Sequence, residues 1–136
     1  MRKVMVDTNV ALDYLADRSP FADDAESVFD ASAKGTIELW LCSLSFTTIN
    51  FLLRRAHGPV PARKALSILR TLVRVAPVDE RCIDRALASD FADLEDAVQH
   101  ESAIQLDADL IITRDTAGFK RSRIPVMTPA AFVRTM

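Results

Sequence analysis

The chain has 136 residues, of which 49% are hydrophobic and 26% charged, so it can bury a core and is too apolar to be disordered. No apolar stretch reaches the roughly 18 residues of a membrane span or follows Met1 as a signal segment, so we expect a cytosolic protein with no membrane partner. The net charge is only −2, so any strongly charged surface has to come from local clusters. Cys42 and Cys82 lack CxxC spacing, which predicts buried thiols rather than disulfides or a zinc site.

Apolar runs and chain breakers predict strands that alternate with helices through the first half of the chain. A Val-rich run predicts a strand over residues 2–6, and a helix is expected over residues 8–16, before the break at Ser19 and Pro20. A second helix over residues 21–33 ends before Gly35, and a strand follows over residues 37–42. Helical spacing then predicts a helix that starts at Ser43 or Ser45 and ends at Gly58.

The second half of the chain continues this alternation. The predicted elements are helix 61–72, strand 73–78, a helix capped by Asp79 that runs to about residue 89, helix 93–106, strand 109–113, strand 124–127 and a last helix that begins at Thr128-Pro129. Apolar runs without alternation indicate a parallel sheet covered on both faces. With no linker or internal repeat, we expect a single domain over residues 1–136.

Several aspartates stand where apolar runs end. Asp7 follows the first strand, Asp115 follows the strand at 109–113, and Asp93 and Asp96 lie at the start of a helix. In parallel sheets, ligands bind beyond the carboxyl ends of the strands, and clustered carboxylates are suitable ligands for Mg²⁺ or Mn²⁺. Each aspartate also has a structural alternative, as an N-cap, a turn residue or part of a capping box.

The charges are unevenly distributed along the chain. All 19 acidic residues lie within residues 1–38 and 79–115, so residues 39–78 carry basic residues and no acid. A second basic cluster follows Thr116. Local basic surfaces beside an acidic centre suit an anionic polymer, and we expect its phosphates to bind Arg54, Arg55, Arg63, Lys64, Lys120 and Arg121, with Arg123 beside them. The alternative is that these side chains are the solvated faces of helices.

Glycine content excludes two common phosphate-binding motifs. The chain has only three glycines, Gly35, Gly58 and Gly118, so neither GxGxxG nor a Walker loop can be written. Dinucleotide binding of the Rossmann type and P-loop hydrolysis are therefore excluded.

Five segments in series make the chain similar to a known family. These segments are VMVDTNVALDYL, SLSFTTINFLLRR, DFADLEDAVQ, LIITRD and IPVMTPAAF, and together they span nearly the whole sequence. They resemble the PIN domain, a family of metal-dependent ribonucleases that includes the VapC toxins of bacterial toxin–antitoxin pairs. The resemblance implies a three-layer α/β/α sandwich with a central, mostly parallel sheet, and a Mg²⁺ or Mn²⁺ site at one edge.

The resemblance also assigns roles to particular residues. It implies that Asp7, Asp96 and Asp115 bind the metal, that Asn9 orients the site, and that Thr113 braces Asp115. Asp93 is either a further metal ligand or the N-cap of the helix that carries Asp96.

The chain departs from the family pattern at two places. Asn50 stands where many relatives carry a glutamate, so we expect a catalytic or water-orienting amide there, with a buried structural amide as the alternative. Many relatives also have another acid after the late aspartate, where this chain has Ala117 and Gly118. Fewer carboxylates favour a single metal ion.

Two functions follow as hypotheses. The first is a Mg²⁺- or Mn²⁺-dependent endoribonuclease, the toxin of a toxin–antitoxin pair, in which a metal-polarised water attacks the phosphodiester. The second is a catalytically weak or silent PIN-like module that binds RNA or a partner protein. The resemblance further implies a homodimer and an antitoxin partner, and Phe21, Trp40 and Phe51 are expected either at an interface or in the core.

Overall fold

Five parallel strands form the centre of the protein in the computed structural model, which describes residues 1–136. The strands are β1 (Arg2–Val6), β2 (Ile37–Cys42), β3 (Arg74–Ala76), β4 (Leu110–Ile112) and β5 (Val126–Met127). Their spatial order is β3-β2-β1-β4-β5, and every neighbouring pair is parallel. The first strand of the sequence therefore lies at the centre of the sheet.

Seven helices connect and flank the strands. They are α1 (Thr8–Leu15), α2 (Ala22–Ala33), α3 (Ser43–His57), α4 (Pro59–Leu72), α5 (Glu80–Leu87), α6 (Leu94–Gln105) and α7 (Pro129–Arg134). A single 3₁₀ turn, Thr116–Phe119, follows β4 and is an element that the apolar pattern does not predict. The order of the other elements agrees with the prediction. The strands β3, β4 and β5 are shorter than predicted, and each extends only over the residues that pair with a neighbouring strand.

Alternating side chains along the strands divide the core between the two faces of the sheet. Val4 and Val6 pack on one face with α1, α2, α3, α4 and α7. Met5 and Ile111 pack on the other face with α5 and α6. Helices therefore cover both faces of a parallel sheet, which confirms the predicted three-layer α/β/α sandwich.

The capping signals of several helices act as predicted. Gly35 follows α2 with φ +76°, and the amides of Gly35 and Thr36 donate to the carbonyls of Ser32 and Ala31. This pair of bonds satisfies carbonyls that the helix end leaves free. At the start of α5, the Asp79 carboxylate accepts from the amide of Cys82 at 3.1 Å.

The register of the sheet brings three chain segments together at its carboxyl edge. Val6, the last residue of β1, pairs with Leu41 of β2 on one side and with Ile112 of β4 on the other. The amide of Asp7 donates to the carbonyl of Ile112 at 2.9 Å, which extends this pairing by one residue. Residues that directly follow β1, β2 and β4 therefore lie beside one another.

An ion-pair cluster fixes the segment that follows β4. Asp13 on α1 is buried, and its carboxylate accepts from Arg114 Nε at 2.6 Å and from Arg18 Nε at 2.8 Å. The Arg114 guanidinium also lies 4.0 Å from the centre of the Phe21 ring, a cation–π arrangement. Arg114 stands between Thr113 and Asp115, so this cluster holds the backbone on which Asp115 is carried.

The helices, the cysteines and two aromatic residues have further features to report. None of the helices combines the length and the apolar composition that crossing a lipid bilayer requires. Both cysteines are buried free thiols, as predicted. Trp40 packs against the core beside α5 and α6, whereas the Phe51 side chain is 59% exposed on α3.

Candidate metal centre

Asp7, Asp96 and Asp115 come from separate parts of the chain and meet beyond the carboxyl edge of the sheet. Asp7 directly follows β1, Asp96 lies in the first turn of α6, and Asp115 precedes the 3₁₀ turn after β4. The negative charges of Asp7 and Asp115 both contribute to raising the pKa of Asp96. Gly118 lies beside both Asp96 and Asp115, and the Thr113 hydroxyl connects Asp115 with Asp7.

Asp7 is the most enclosed of the three aspartates. Its side chain is buried, with Oδ2 accepting from Thr113 Oγ1 at 2.8 Å and Oδ1 accepting from Gln99 Nε2 at 3.0 Å. Burial raises the pKa of Asp7, and the hydrogen bonds from Thr113 and Gln99 act in the opposite direction because they stabilise the ionised carboxylate. Each oxygen therefore has one fixed donor and keeps one lone pair for another ligand.

The carboxylates of Asp96 and Asp115 face a common point beside Gly118. A Cβ atom at Gly118 would lie 2.7 Å from Asp115 Oδ2 and 2.9 Å from Asp96 Oδ2. Asp115 is held in this position because its Oδ1 accepts from the amide of Gly118 at 3.0 Å. Two carboxylate oxygens thus form a cradle that a side chain at position 118 would fill.

The pKa of Asp96 is raised to about 7. Burial is the largest cause, followed by the negative charges of Asp7, Asp93 and Asp115. Without a cation, the site therefore favours protonation of Asp96 near neutral pH, and a divalent cation would favour its ionised form.

The donor atoms of this site fit a hard divalent cation. All of them are oxygens: the cradle at Gly118 joins Asp96 and Asp115, and Thr113 connects Asp115 with Asp7. No three Asp, Glu, His or Cys side chains stand close enough together to hold an ion by themselves. This arrangement suits Mg²⁺ or Mn²⁺, because Mg²⁺ usually takes one or two carboxylates and keeps several waters.

Asp93 has the structural role that the sequence left open. It is the N-cap of α6, and its Oδ1 accepts from the amide of Asp96 at 2.9 Å. Asp93 is exposed, and its charge adds to the repulsion on Asp96. The geometry therefore favours a helix cap over the metal ligand that was the other expectation.

Thr113 is hydrogen-bonded to two of the aspartates, whereas Asn9 is not bonded to any of them. Thr113 Oγ1 donates to Asp7 and accepts from the amide of Asp115 at 3.0 Å, so one hydroxyl connects two members of the site. Asn9 is exposed, and its side chain makes no hydrogen bond with the aspartates. Thr8 is the buried neighbour instead, with its hydroxyl 2.7 Å from that of Ser45.

The sequence predicts a catalytic or water-orienting role for Asn50, and this role stays a prediction. Asn50 lines a groove between α3 and α4, with a volume of about 440 Å³, together with Arg54, Arg63 and Lys64. Thr48, two residues earlier, donates to Glu95 beside Asp96 at 2.9 Å. Two residues of an α-helix are separated by about 200° of rotation, so a helix that turns Thr48 toward α6 turns Asn50 away from it.

The predicted RNA-binding residues fall into separate surfaces. Arg54, Arg63 and Lys64 share the groove between α3 and α4, which we call the α3–α4 groove. Arg55 lies outside it, with its guanidinium 5.5 Å from the centre of the Phe51 ring. Arg121 and Arg123 line another pocket with Arg85 and Glu101, and Lys120 is exposed directly after the 3₁₀ turn.

Gln99 is the site residue that the sequence reasoning missed. It lies three positions after Asp96 on α6 and donates to Asp7, which is 92 residues away in sequence. The sequence contained a signal for this role. Gln99 is a polar residue among the apolar Ala97, Val98 and Ala103, and it lies on the same face of α6 as Asp96 because it is three positions away.

The cradle predicts the effect of adding one methyl group at Gly118. In Gly118→Ala, the new Cβ has to displace the Asp115 and Asp96 carboxylates, so we expect Mn²⁺ affinity to fall about tenfold or more. Isothermal titration with Mn²⁺ measures this effect. Ala117→Ser, at the neighbouring exposed position, is the matched control and should bind as the wild type does. Unchanged affinity in Gly118→Ala would contradict the cradle as the place of the cation.

Solved structures share this architecture. VapBC2 from Rickettsia felis, bound to a promoter DNA fragment, aligns with a TM-score of 0.72 and 13% identity over 93% of this chain and 98% of that chain. A toxin–antitoxin complex from Klebsiella pneumoniae aligns with a TM-score of 0.69 and 21% identity, over 93% of this chain and 97% of that chain. VapC20 from Mycobacterium tuberculosis, a sarcin-ricin loop cleaving toxin, aligns with a TM-score of 0.65 and 17% identity, over 79% of this chain and 86% of that chain. At these identities, the likeness shows a shared fold.

The sequence comparison identifies the family. No curated protein matches the chain significantly. A family model described as the PIN domain matches residues 3–117, which include Asp7, Asp96, Asp115 and the strands that carry the site. This chain therefore belongs to the PIN domain family.

Proposed function

We propose that this protein is a Mg²⁺- or Mn²⁺-dependent endoribonuclease that hydrolyses RNA phosphodiester bonds and is the toxin of a toxin–antitoxin pair. The observation that carries the proposal is the pair of carboxylates, Asp96 and Asp115, at the Gly118 cradle of a PIN domain, with Asp7 connected to Asp115 through Thr113. An oxygen-only site of this kind suits the cations that catalyse phosphoryl chemistry.

The chain's own residues have distinct roles in this proposal. Asp96 and Asp115 would hold the cation at the cradle, and Asp7 adds a third negative charge to the site. Thr113 keeps Asp7 and Asp115 in their relative positions through its single hydroxyl. When bound, the cation supplies a polarised water and neutralises charge on the phosphate.

RNA binding is proposed for the basic surfaces rather than for the acidic centre. The α3–α4 groove carries Arg54, Arg63 and Lys64, and no acidic residue occurs anywhere in residues 39–78. Lys120 follows the 3₁₀ turn that begins after Asp115, so it adds positive charge close to the metal centre in sequence. Basic side chains offset the repulsion between an acidic centre and a polyanion.

The proposal is tested by cleavage of a defined pool of structured RNAs with Mg²⁺, with Mn²⁺ and with excess EDTA. We expect endonucleolytic products with either cation and none in EDTA, with activity restored when Mn²⁺ is added back. Cleavage that continues in EDTA would contradict the metal-dependent function.

The alternative function, a silent module that binds RNA or a protein, keeps one observation in its favour. The chain has the neutral Asn50 where the resemblance predicts a glutamate, so it offers one carboxylate fewer to a cation. Isothermal titration with Mn²⁺ separates the two functions. Binding that is absent at millimolar Mn²⁺, with RNA binding retained, would favour the silent module.

The α3–α4 groove makes a prediction about salt dependence. Replacing Arg63 and Lys64 with glutamine should weaken RNA binding several-fold. It should also reduce the steepness of the fall in log binding constant with log salt concentration by about one to one and a half, because each phosphate contact on a single strand contributes about 0.7. Binding is measured in EDTA to prevent cleavage. Arg81→Gln, on the exposed side of α5, is the control and should keep the wild-type slope. An unchanged slope in the double variant would remove the groove from the RNA surface.

We also propose an antitoxin partner and a homodimer. Support for the antitoxin is that compared structures are toxin–antitoxin complexes. Support for self-association is the exposure of apolar side chains on α3 and α4 outside the α3–α4 groove, where Phe51 is 59% exposed and Ile68 50%. Co-purification with the product of an adjacent reading frame tests the first proposal, and light scattering with Phe51→Ser tests the second.

A further inference from the structure

The buried polar side chains of α6 are hydrogen-bonded with one exception. Ser102 Oγ donates to the carbonyl of Pro77 at 2.8 Å, and His100 is bonded through both ring nitrogens, to Glu101 and to the amide of Arg123. Gln99 donates through Nε2, yet its Oε1 is buried without a hydrogen-bond partner. In the whole protein, only Arg18 Nη2 shares this condition among buried side-chain nitrogens and oxygens. Such an atom is costly unless something else satisfies it.

The hydrogen bond to Asp7 fixes which way the Gln99 amide points. An ionised carboxylate only accepts hydrogen bonds, so the amide atom 3.0 Å from Asp7 Oδ1 has to be the nitrogen. The other amide atom is therefore Oε1, which is buried with its acceptor capacity free. Gln99 is also three residues from Asp96, which places both side chains on one face of α6.

We propose that Gln99 is a further residue of the metal centre, a positioning residue that holds Asp7 through Nε2 and offers Oε1 to the bound cation or its water shell. This inference rests on the proposed metal-dependent function. Side-chain amide oxygens are among the hard ligands that divalent cations and their waters accept. A neutral amide also does both tasks without adding another negative charge to three neighbouring carboxylates.

A purely structural amide would behave differently. If Gln99 only filled space in the core, its replacement would change the stability of the metal-free and metal-bound proteins equally. If Gln99 serves the cation, its replacement changes the difference in stability between the metal-free and metal-bound proteins. Residues that orient metal ligands typically contribute 10–100-fold to metal affinity.

The main test is isothermal titration with Mn²⁺ at pH 8, together with thermal melts in EDTA and in saturating Mn²⁺. The variant Gln99→Met keeps the length of the side chain and removes both polar atoms. We expect it to bind Mn²⁺ about tenfold more weakly than the wild type and to show a smaller Mn²⁺-dependent rise in Tm. Ser102→Ala loses a buried hydrogen bond of the same helix and should retain wild-type affinity. Wild-type Mn²⁺ affinity in Gln99→Met would overturn the inference.

A second variant keeps the test decisive if Gln99→Met does not fold. Gln99→Glu retains an oxygen in place of Oε1 and adds a charge that a cation neutralises. Because this charge destabilises the metal-free protein and strengthens the bound state, we expect a larger Mn²⁺-dependent rise in Tm than in the wild type. A rise equal to or smaller than that of the wild type would overturn the inference.

Asp96→Asn in the same titration separates this inference from the proposed function. We expect the wild type to bind Mn²⁺ and Asp96→Asn to bind it much more weakly. If the wild type does not bind, the proposed function and the inference fail together. If Asp96→Asn loses binding while both Gln99 variants respond to Mn²⁺ as the wild type does, the inference alone fails.

Discussion

Asp7→Asn is expected to lower Mg²⁺-dependent RNA cleavage by at least about a hundredfold while the protein remains folded, as removal of a preorganised electrostatic group in an active site typically does. The substitution preserves the shape of the side chain and removes its charge. Thr113 can still donate to an amide oxygen at position 7, but Gln99 Nε2 would then face another NH₂ group. The negative charge of Asp7 is lost, and with it part of the attraction of the site for the cation.

Single-turnover cleavage with saturating Mg²⁺ measures this effect, and near-ultraviolet circular dichroism checks the fold. Asp23→Asn is a matched control, because Asp23 is exposed in the first turn of α2. The control should cleave at the wild-type rate. If Asp7→Asn cleaved as fast as the wild type, the assignment of Asp7 to the metal centre would be wrong.

The second large effect concerns stability without metal. The pKa of Asp96 is about 7 in the folded protein and 3.8 as its ordinary value. Between these two values, the folded state keeps a proton that the unfolded chain has released, so stability falls as pH rises through this window and levels off above it. Asp7, whose pKa is also raised, acts in the same direction, whereas the lowered pKa of His100 acts in the opposite one.

Asp96→Asn isolates the contribution of this one carboxyl, because the other groups are common to both proteins. In EDTA, we expect the Tm difference between the variant and the wild type to grow from near zero at pH 4 to about 4 °C in favour of the variant at pH 8. This corresponds to about 1 kcal/mol after allowance for the partial exposure of Asp96. Saturating Mn²⁺ should remove this difference or reverse it, because only the wild type retains the full site.

Scanning calorimetry from pH 4 to pH 8 measures both parts of this prediction. Ser102→Ala serves as the control for substitutions on α6, and its Tm difference from the wild type should not change with pH. If the Tm difference between Asp96→Asn and the wild type stays constant from pH 4 to pH 8, the pKa of Asp96 is not raised.

Much of the fold follows from local sequence patterns. The run Val4-Met5-Val6 is apolar on both sides, as a central parallel strand requires, and Leu110-Ile111-Ile112 has the same character. Gly35 and Asp79 mark helix ends through hydrogen bonds that involve only nearby residues. The edge strands were less predictable in length, because β3 and β5 end where their single partner ends.

The site was only partly predictable, for a reason that Asn50 illustrates. Sequence similarity places Asn50 near the position of a family glutamate, but helix rotation turns it into the α3–α4 groove. Asn9, adjacent to the buried Thr8, is likewise turned to solvent. A sequence motif specifies position along a helix, and an error of one or two residues changes the direction of the side chain by about 100–200°.

By itself, the sequence determined that Asp7 and Asp115 follow buried parallel strands and that Asp96 lies in the first turn of a helix. Parallel strands end at a shared edge, so this order alone predicts that carboxylates gather there. Only the tertiary structure decided that Asp96 and Asp115 meet over Gly118 and that Gln99 reaches Asp7. Those contacts depend on how α6 packs against the sheet, and distances between residues far apart in sequence are set by packing rather than by any local pattern.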